Sequence, residues 1–330
     1  MIRAQVIGTG SYLPHRVVRN EEIASLLGHD PDRVYRLTRI RERRWAADHE
    51  ASSDMAIEAG RRALEAAGCD ASSVDAVIVS TTSPDMAFPS TACFVQRGLG
   101  CKKVGAFDVS ASCSGFLYAL SMGQAMIQSG QIGACLVAAS EVKSRSLDLK
   151  DSATAMLFGD GAGAVVLRGE EDRSPAGNGI LGVRLRADGS RHGLIRVQAG
   201  GSRMPLSQDA LNKHEHTIRM EGAALYRIAI RRIEQAVQDI LKEFGVGLGD
   251  LTQVVLHQAN GRILSQVAER LGIGQEKLSS VIEQYGNTSS ASLPIALDAA
   301  VRGGRVAPGD LVLLGSFGGG VTWGAGLLRW

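Results

Sequence analysis

Cys113 and His257 are the two side chains whose surroundings suggest chemistry. Cys113 lies in Phe107-Asp108-Val109-Ser110-Ala111-Ser112-Cys113-Ser114-Gly115-Phe116, where a strand runs into small residues and a helix begins. A thiol at a helix N-terminus faces unpaired N–H groups and the positive end of the macrodipole, which favours thiolate and supplies donors for an oxyanion. Small neighbours let a substrate approach the backbone closely. An ordinary cysteine is a small buried hydrophobe, and that reading is kept for Cys69, Cys93, Cys101 and Cys135. With five cysteines and no C-x-x-C pair, neither a disulfide framework nor a zinc site is expected.

His257 closes the apolar run Val254-Val255-Leu256-His257-Gln258-Ala259-Asn260. The C-terminal ends of strands are where α/β sheets place their sites. The other six histidines fall in polar or turn-like sequence, and His214-x-His216 has only Glu215 beside it, too little for a metal site. A third candidate, Asn287 in Gly286-Asn287-Thr288-Ser289, reads equally as a turn or N-cap residue. A fourth is Gly315-Ser316-Phe317-Gly318-Gly319-Gly320, a glycine run that is either a plain turn or a means of bringing an N–H to an oxyanion.

The elements that must position these groups alternate in type. Ala76–Ser80, Gly105–Val109, Ala134–Ala138 and Ala162–Leu167 read as strands, and residues 53–67 and 116–128 as helices, the α/β signature. The second half repeats the first: Gly245 follows Gly68, Val254 follows Val77 and Leu297 follows Leu120, each by 177 residues. The spacing falls to 163 between Gly161 and Gly324, so the first half carries about a dozen extra residues near Ser144–Leu157. Residues 1–170 form an expected N-terminal half with the cysteine, and 171–330 a C-terminal half with the histidine and asparagine. The polar stretch Gly169–Asn178 reads as their connection. Two such halves packed about a pseudo-two-fold axis would build one site from both copies, and the offset places Asn287 three residues ahead of Cys113's counterpart, facing the same crevice.

Composition sets the limits. The chain has 330 residues, 45% of them hydrophobic, with 36 Lys+Arg against 34 Asp+Glu. A formal charge of +2 leaves no whole-surface basis for binding nucleic acid or an anionic membrane. Apolar stretches such as Leu311–Leu314 are far short of the ~20 residues that cross a bilayer, and no apolar signal core opens the sequence. A soluble, cytoplasmic protein is expected.

Across essentially the whole chain these residues resemble the β-ketoacyl-[acyl-carrier-protein] synthase III family of the thiolase fold. The resemblance is carried by GTGSYLP (Gly8–Pro14), TTS (Thr81–Ser83), AFPS (Ala87–Ser90), FDVSASCSGF (Phe107–Phe116), FGDGAGA (Phe158–Ala164), HQAN with Arg262, YGNTSSAS (Tyr285–Ser292) and SFGGGVTWG (Ser316–Gly324). It implies a five-layered αβαβα fold of two pseudo-repeated halves, a homodimer, and a catalytic set of Cys113, His257 and Asn287. The implied reaction joins an acyl primer, held as a thioester on Cys113, to malonyl-[acyl-carrier protein] with loss of carbon dioxide, initiating fatty acid synthesis. The resemblance also implies Gly319 in the oxyanion hole, Phe158 and Phe317 as walls, Phe88 reaching across the dimer to close the acyl pocket, and Asn260 and Arg262 as substrate-binding residues. Arg227, Arg231 and Arg262 would receive an acidic carrier protein, a solvated helix face being their other reading. No cofactor and no metal is implied, since CoA and phosphopantetheine thioesters are substrates.

The chain departs from the family pattern where primer CoA is held. Arg33 and Ser152 stand where a tryptophan and an arginine usually stack the adenine, Arg36-Leu37-Thr38-Arg39-Ile40 replaces the usual Thr-Arg-Thr-Gly-Ile, and Ala223 replaces an asparagine. The run Arg33, Arg36, Arg39, Arg41, Arg43, Arg44 is either a phosphate grip or a set of partners for local carboxylates. An unusual acyl-CoA or carrier-borne primer, as in starter-unit synthases of secondary metabolism, is the alternative this suggests. A Cys-His-Asn hydrolase shares the order of the three residues but not the repeat or the C-G-[SA]-C-[WY] signature. Gly8-x-Gly10 and Gly159-x-Gly161-x-Gly163 do not complete a dinucleotide fingerprint.

Overall fold

Hydrophobic runs rich in β-branched residues, such as Ala76–Ser80 and Gln253–Leu256, are buried along their whole length, as strands covered on both faces must be. The computed structural model describes residues 2–171 and 177–330. Its two principal sheets each have five strands. The first runs Ile2–Tyr12, Gly161–Glu171, Ala134–Glu141, Ala76–Ser80, Gly105–Val109; the second runs Gly179–Ala187, Thr322–Arg329, Leu311–Gly318, Gln253–Leu256, Leu278–Ser279. Read in that order, both sheets pair antiparallel, antiparallel, parallel, parallel. The 177-residue offset is therefore the repeat of one sheet topology.

Helices Gly115–Gln128 and Ser292–Arg302 touch strands of both sheets and form the middle layer. Small residues make that possible. A Cβ on Gly163 would lie 2.8 Å from the backbone nitrogen of Ile295, so only glycine lets the first sheet approach this helix so closely. Asp298 adds a polar tie: its two oxygens accept the hydroxyls of Thr9 at 2.7 Å and Ser11 at 2.6 Å, joining the second half's helix to the first half's opening strand. Helix Ser52–Ala66 covers the outer face of the first sheet and helices Gly222–Phe244 and Gly261–Leu271 that of the second, completing an αβαβα stack of thiolase type.

Three boundaries differ from expectation. The strand expected to end at Ala138 continues to Glu141, and that expected over Leu311–Leu314 continues to Gly318, because small or hydrogen-bonded polar residues keep the ladder paired. The connection expected from Gly169 is still strand through Glu171; residues 172–176 lie outside the described residues. The extra segment is where the offset placed it. Residues 142–160 link paired strands in the first sheet, whereas 319–321 suffice in the second.

Candidate active site

Each middle helix is entered through the same backbone turn. Ser112 has φ 47° and Ser289 φ 53°, two of only four non-glycine residues with positive φ among those described, and they are 177 positions apart. Serine in this left-handed region is held there by its surroundings. The first turn delivers Cys113 to the start of helix Gly115–Gln128; the second carries Asn287 ahead of helix Ser292–Arg302. A Cβ on Gly318 would meet the Cys113 nitrogen at 2.6 Å, so the strand from the second half can press against the nucleophile only as glycine. Ser316 Oγ donates to the Cys113 carbonyl at 2.8 Å across the same junction.

Cys113, His257, Asn287, Phe158, Phe317 and Gly319 line one cavity of about 350 Å³. The pieces that sequence reading assembled from distant stretches thus share one floor.

Hydrogen bonds orient two of them. Asn287 is clamped by its backbone, its N–H donating to Leu157 O at 2.8 Å and its carbonyl accepting from Gly159 N at 3.0 Å. Its side-chain Oδ1 accepts the Ser289 N–H at 2.9 Å, which leaves Nδ2 as the donor that can face a ligand. His257 Nδ1 is 2.6 Å from Ser292 Oγ, and that oxygen also accepts the Gln258 N–H at 3.1 Å. We assign the Ser292 proton to the bond with Nδ1, which leaves the imidazole proton on Nε2, the nitrogen that can face a ligand. Burial pushes the His257 pKa down to about 3, so the ring is a neutral donor at physiological pH.

At the thiol, burial acts against the helix terminus. Burial pushes Cys113 up to about 11; the Ser289 hydroxyl, 3.5 Å from the sulfur, pulls the other way, the Glu141 charge adds to the rise and Lys143 opposes it. Burial thus opposes the helix terminus, which favours the thiolate.

The remaining expected residues divide. Phe158 borders both the main cavity and a smaller one on the other side of Cys113, as a wall would. Phe88 does not approach the thiol within its own chain; it is 84% exposed. Asn260 lines the cavity, but its Oδ1 caps helix Gly261–Leu271 through Arg262 N and its Nδ2 donates to Leu37 O, so its polar atoms are largely spent on structure. Arg227, Arg231 and Arg262 are exposed around Tyr226 near the cavity mouth, and none pairs with a carboxylate among the described residues. The arginine run splits: Arg41 pairs with Glu283 at 2.5 Å and Arg44 with Glu42 at 3.6 Å, while fully buried Arg43 donates to Asn20 Oδ1 and Met156 O. Of that run, Arg33, Arg36 and Arg39 are exposed without an acidic partner among the described residues. No group of three metal-ligating side chains occurs among the described residues, and no described helix is long and apolar enough to cross a membrane.

Four side chains escaped sequence reasoning. Ser292 orients the imidazole, and the Ser289 hydroxyl joins the thiol to Glu141; Glu141 and Lys143, both buried, form an ion pair at 3.0 Å. Only their place in matched motifs hinted at the serines, and nothing local marked the pair.

Residues 107–189 match the model of the family 3-oxoacyl-[acyl-carrier-protein] synthase III, and residues 241–330 match its C-terminal model. The chain is 44% identical over its whole length to the β-ketoacyl-[acyl-carrier-protein] synthase III of Erythrobacter litoralis, covering all of that protein. It superposes on the crystal structure of 3-oxoacyl-[acyl-carrier-protein] synthase III from Aquifex aeolicus with a TM-score of 0.90 at 40% identity, covering 99% of this chain and 100% of that one. A priming β-ketosynthase from a polyketide biosynthetic pathway also gives 0.90, at 35% identity over 99% of this chain and 96% of the other.

Proposed function

The chain belongs to the β-ketoacyl-[acyl-carrier-protein] synthase III family, and from that premise we propose that it condenses an acyl primer with malonyl-[acyl-carrier protein] to open fatty acid synthesis. The observation that carries the mechanism is the convergence of one thiol and two neutral donors, Asn287 Nδ2 and His257 Nε2, on one cavity.

In the first half-reaction Cys113 Sγ bonds to the primer's carbonyl carbon. The bond to the departing thiolate breaks, and the proton lost from Cys113 ends on that thiol. The N–H groups of Cys113 and Gly319 hold the oxyanion of the tetrahedral intermediate, and the end of helix Gly115–Gln128 offsets the charge that burial alone would resist. In the second, malonyl thioester loses carbon dioxide and leaves an enolate whose oxygen takes hydrogen bonds from His257 and Asn287. A neutral imidazole and an amide suit this role because neither has to be deprotonated. The enolate carbon attacks the acyl-cysteine, and the thiol is regenerated as the β-ketoacyl product leaves. The kinetics are ping-pong.

The finer assignments belong to the same reading. Arg227, Arg231 and Arg262 receive the acidic carrier protein. Phe88 closes the acyl pocket of a second copy, for which its 84% exposure in the single chain leaves it available. The molecule works as a cytoplasmic homodimer of two-half subunits, 1–170 and 171–330, without metal or cofactor. Incubation with acetyl-CoA should add one acyl mass to Cys113, and adding malonyl-[acyl-carrier protein] should discharge it as a β-ketoacyl product. Release of free acid without condensation would point to a hydrolase instead.

A further inference from the structure

The smaller cavity beside Cys113, about 180 Å³, is bounded by Thr82, Ser112, Lys143, Phe158, Arg196 and Gly319 among others. A pocket for a plain alkyl primer would be lined by apolar groups. Here two cations interrupt an otherwise apolar wall of Phe158, Ile195, Val197 and Ile218. Lys143 is buried, with its ammonium 3.0 Å from Glu141 Oε2 and 2.5 Å from Thr82 Oγ1, which uses two of its three donors. Glu141 needs no more from it: Ser83, Ser289 and Ser290 hydroxyls donate to its oxygens at 2.7, 3.1 and 2.9 Å, and Thr82 N at 3.1 Å. Arg196 donates from Nε to Gln198 Oε1 and from Nη1 to Gly193 O, and pairs with no carboxylate among the described residues. Lys143 thus retains one N–H and solvent-exposed Arg196 its Nη2 along the cavity wall, where a carboxylate can accept charge-assisted hydrogen bonds from both.

We propose that this cavity selects a short acyl primer whose far end carries a carboxylate, bound by Lys143 inside and Arg196 at the rim. The inference rests on Cys113 being the residue acylated. The cavity, about 180 Å³, limits the primer to a short chain, such as a four-carbon dicarboxylic monoacyl group. The competing account of Lys143, a partner that merely neutralises Glu141, predicts a less stable protein on its removal and no change in primer choice.

The test is the rate of Cys113 acylation in the full-length enzyme, followed by intact mass, with acetyl-, butyryl- and succinyl-CoA. Succinyl-CoA should label at least about tenfold faster than butyryl-CoA, which has the same carbon count. Lys143→Met, which keeps the stem and removes the charge, should cut that preference about tenfold; exposed Arg196→Gln should cut it about threefold. If Lys143→Met fails to fold, the wild-type preference and the Arg196→Gln ratio still decide. Butyryl labelling as fast as succinyl, or a preference unchanged in Lys143→Met, overturns the proposal. Acetyl labelling without a succinyl preference sinks this inference alone, whereas labelling by none of the three sinks the proposed function with it.

Discussion

The turns into the two middle helices share a backbone and differ in what they present. Ser112 and Ser289 occupy the same strained conformation at the same place in the repeat, yet the first half offers a sulfur one residue later and the second a carboxamide two residues earlier. The shared turn fixes a close approach between backbone and substrate. Each half then supplies the group its step needs: a nucleophile that must lose a proton, or a donor that must keep one.

That division can be broken one side at a time. Cys113→Ala should give the largest effect, loss of acyl transfer to the limit of detection, while malonyl decarboxylation persists because both donors remain; intact mass and carbon dioxide release check it. Asn287→Ala should leave acylation in place and slow condensation by about 10²–10³-fold, the usual cost of one oxyanion donor. Single-turnover measurement from preformed acyl-enzyme reads that step, and unimpaired condensation would remove Asn287 from the mechanism.

Acid sharpens the same contrast. The folded His257 pKa of about 3 lies below the ordinary 6.5, so the unfolded chain binds the extra proton and this contribution to stability is complete above pH 6.5. It should be lost at about 1.4 kcal/mol per unit as pH falls from 6.5 toward 3. Urea melts of the wild type and His257→Phe across that range should show the slope in the first and its reduction in the second. Ser292→Ala should have the smallest effect, about tenfold slower condensation with acylation unchanged, because it frees the imidazole to take the wrong tautomer without removing it. Equal losses in both half-reactions would mean that Ser292 serves packing and not proton placement.

Much of this was legible in the sequence, and the reasons are specific. Strand and helix periods are local, so the 177-residue repeat showed that the halves share one topology and set Asn287 opposite Cys113, while the apolar run before His257 put it at a strand end; strand order waited for the structure. Partners and burial are not local. Nothing near Lys143 says that Glu141 and Thr82 enclose it, and nothing in the arginine run says that Arg43 is wholly buried while Arg33 is exposed. The thiol's surroundings are divided in the same way: a helix terminus can be read from sequence, but the burial that acts against it depends on residues more than a hundred positions away, such as Gly318, which presses against Cys113.

The segment 142–160, present in only one half, provides Leu157 O and Gly159 N, the two backbone groups that grip Asn287 in the other half. Neither half is therefore complete by itself. Were the polypeptide severed between them, condensation would depend on the concentration of each piece, and turnover would rise with their product until the fragments were saturated with one another.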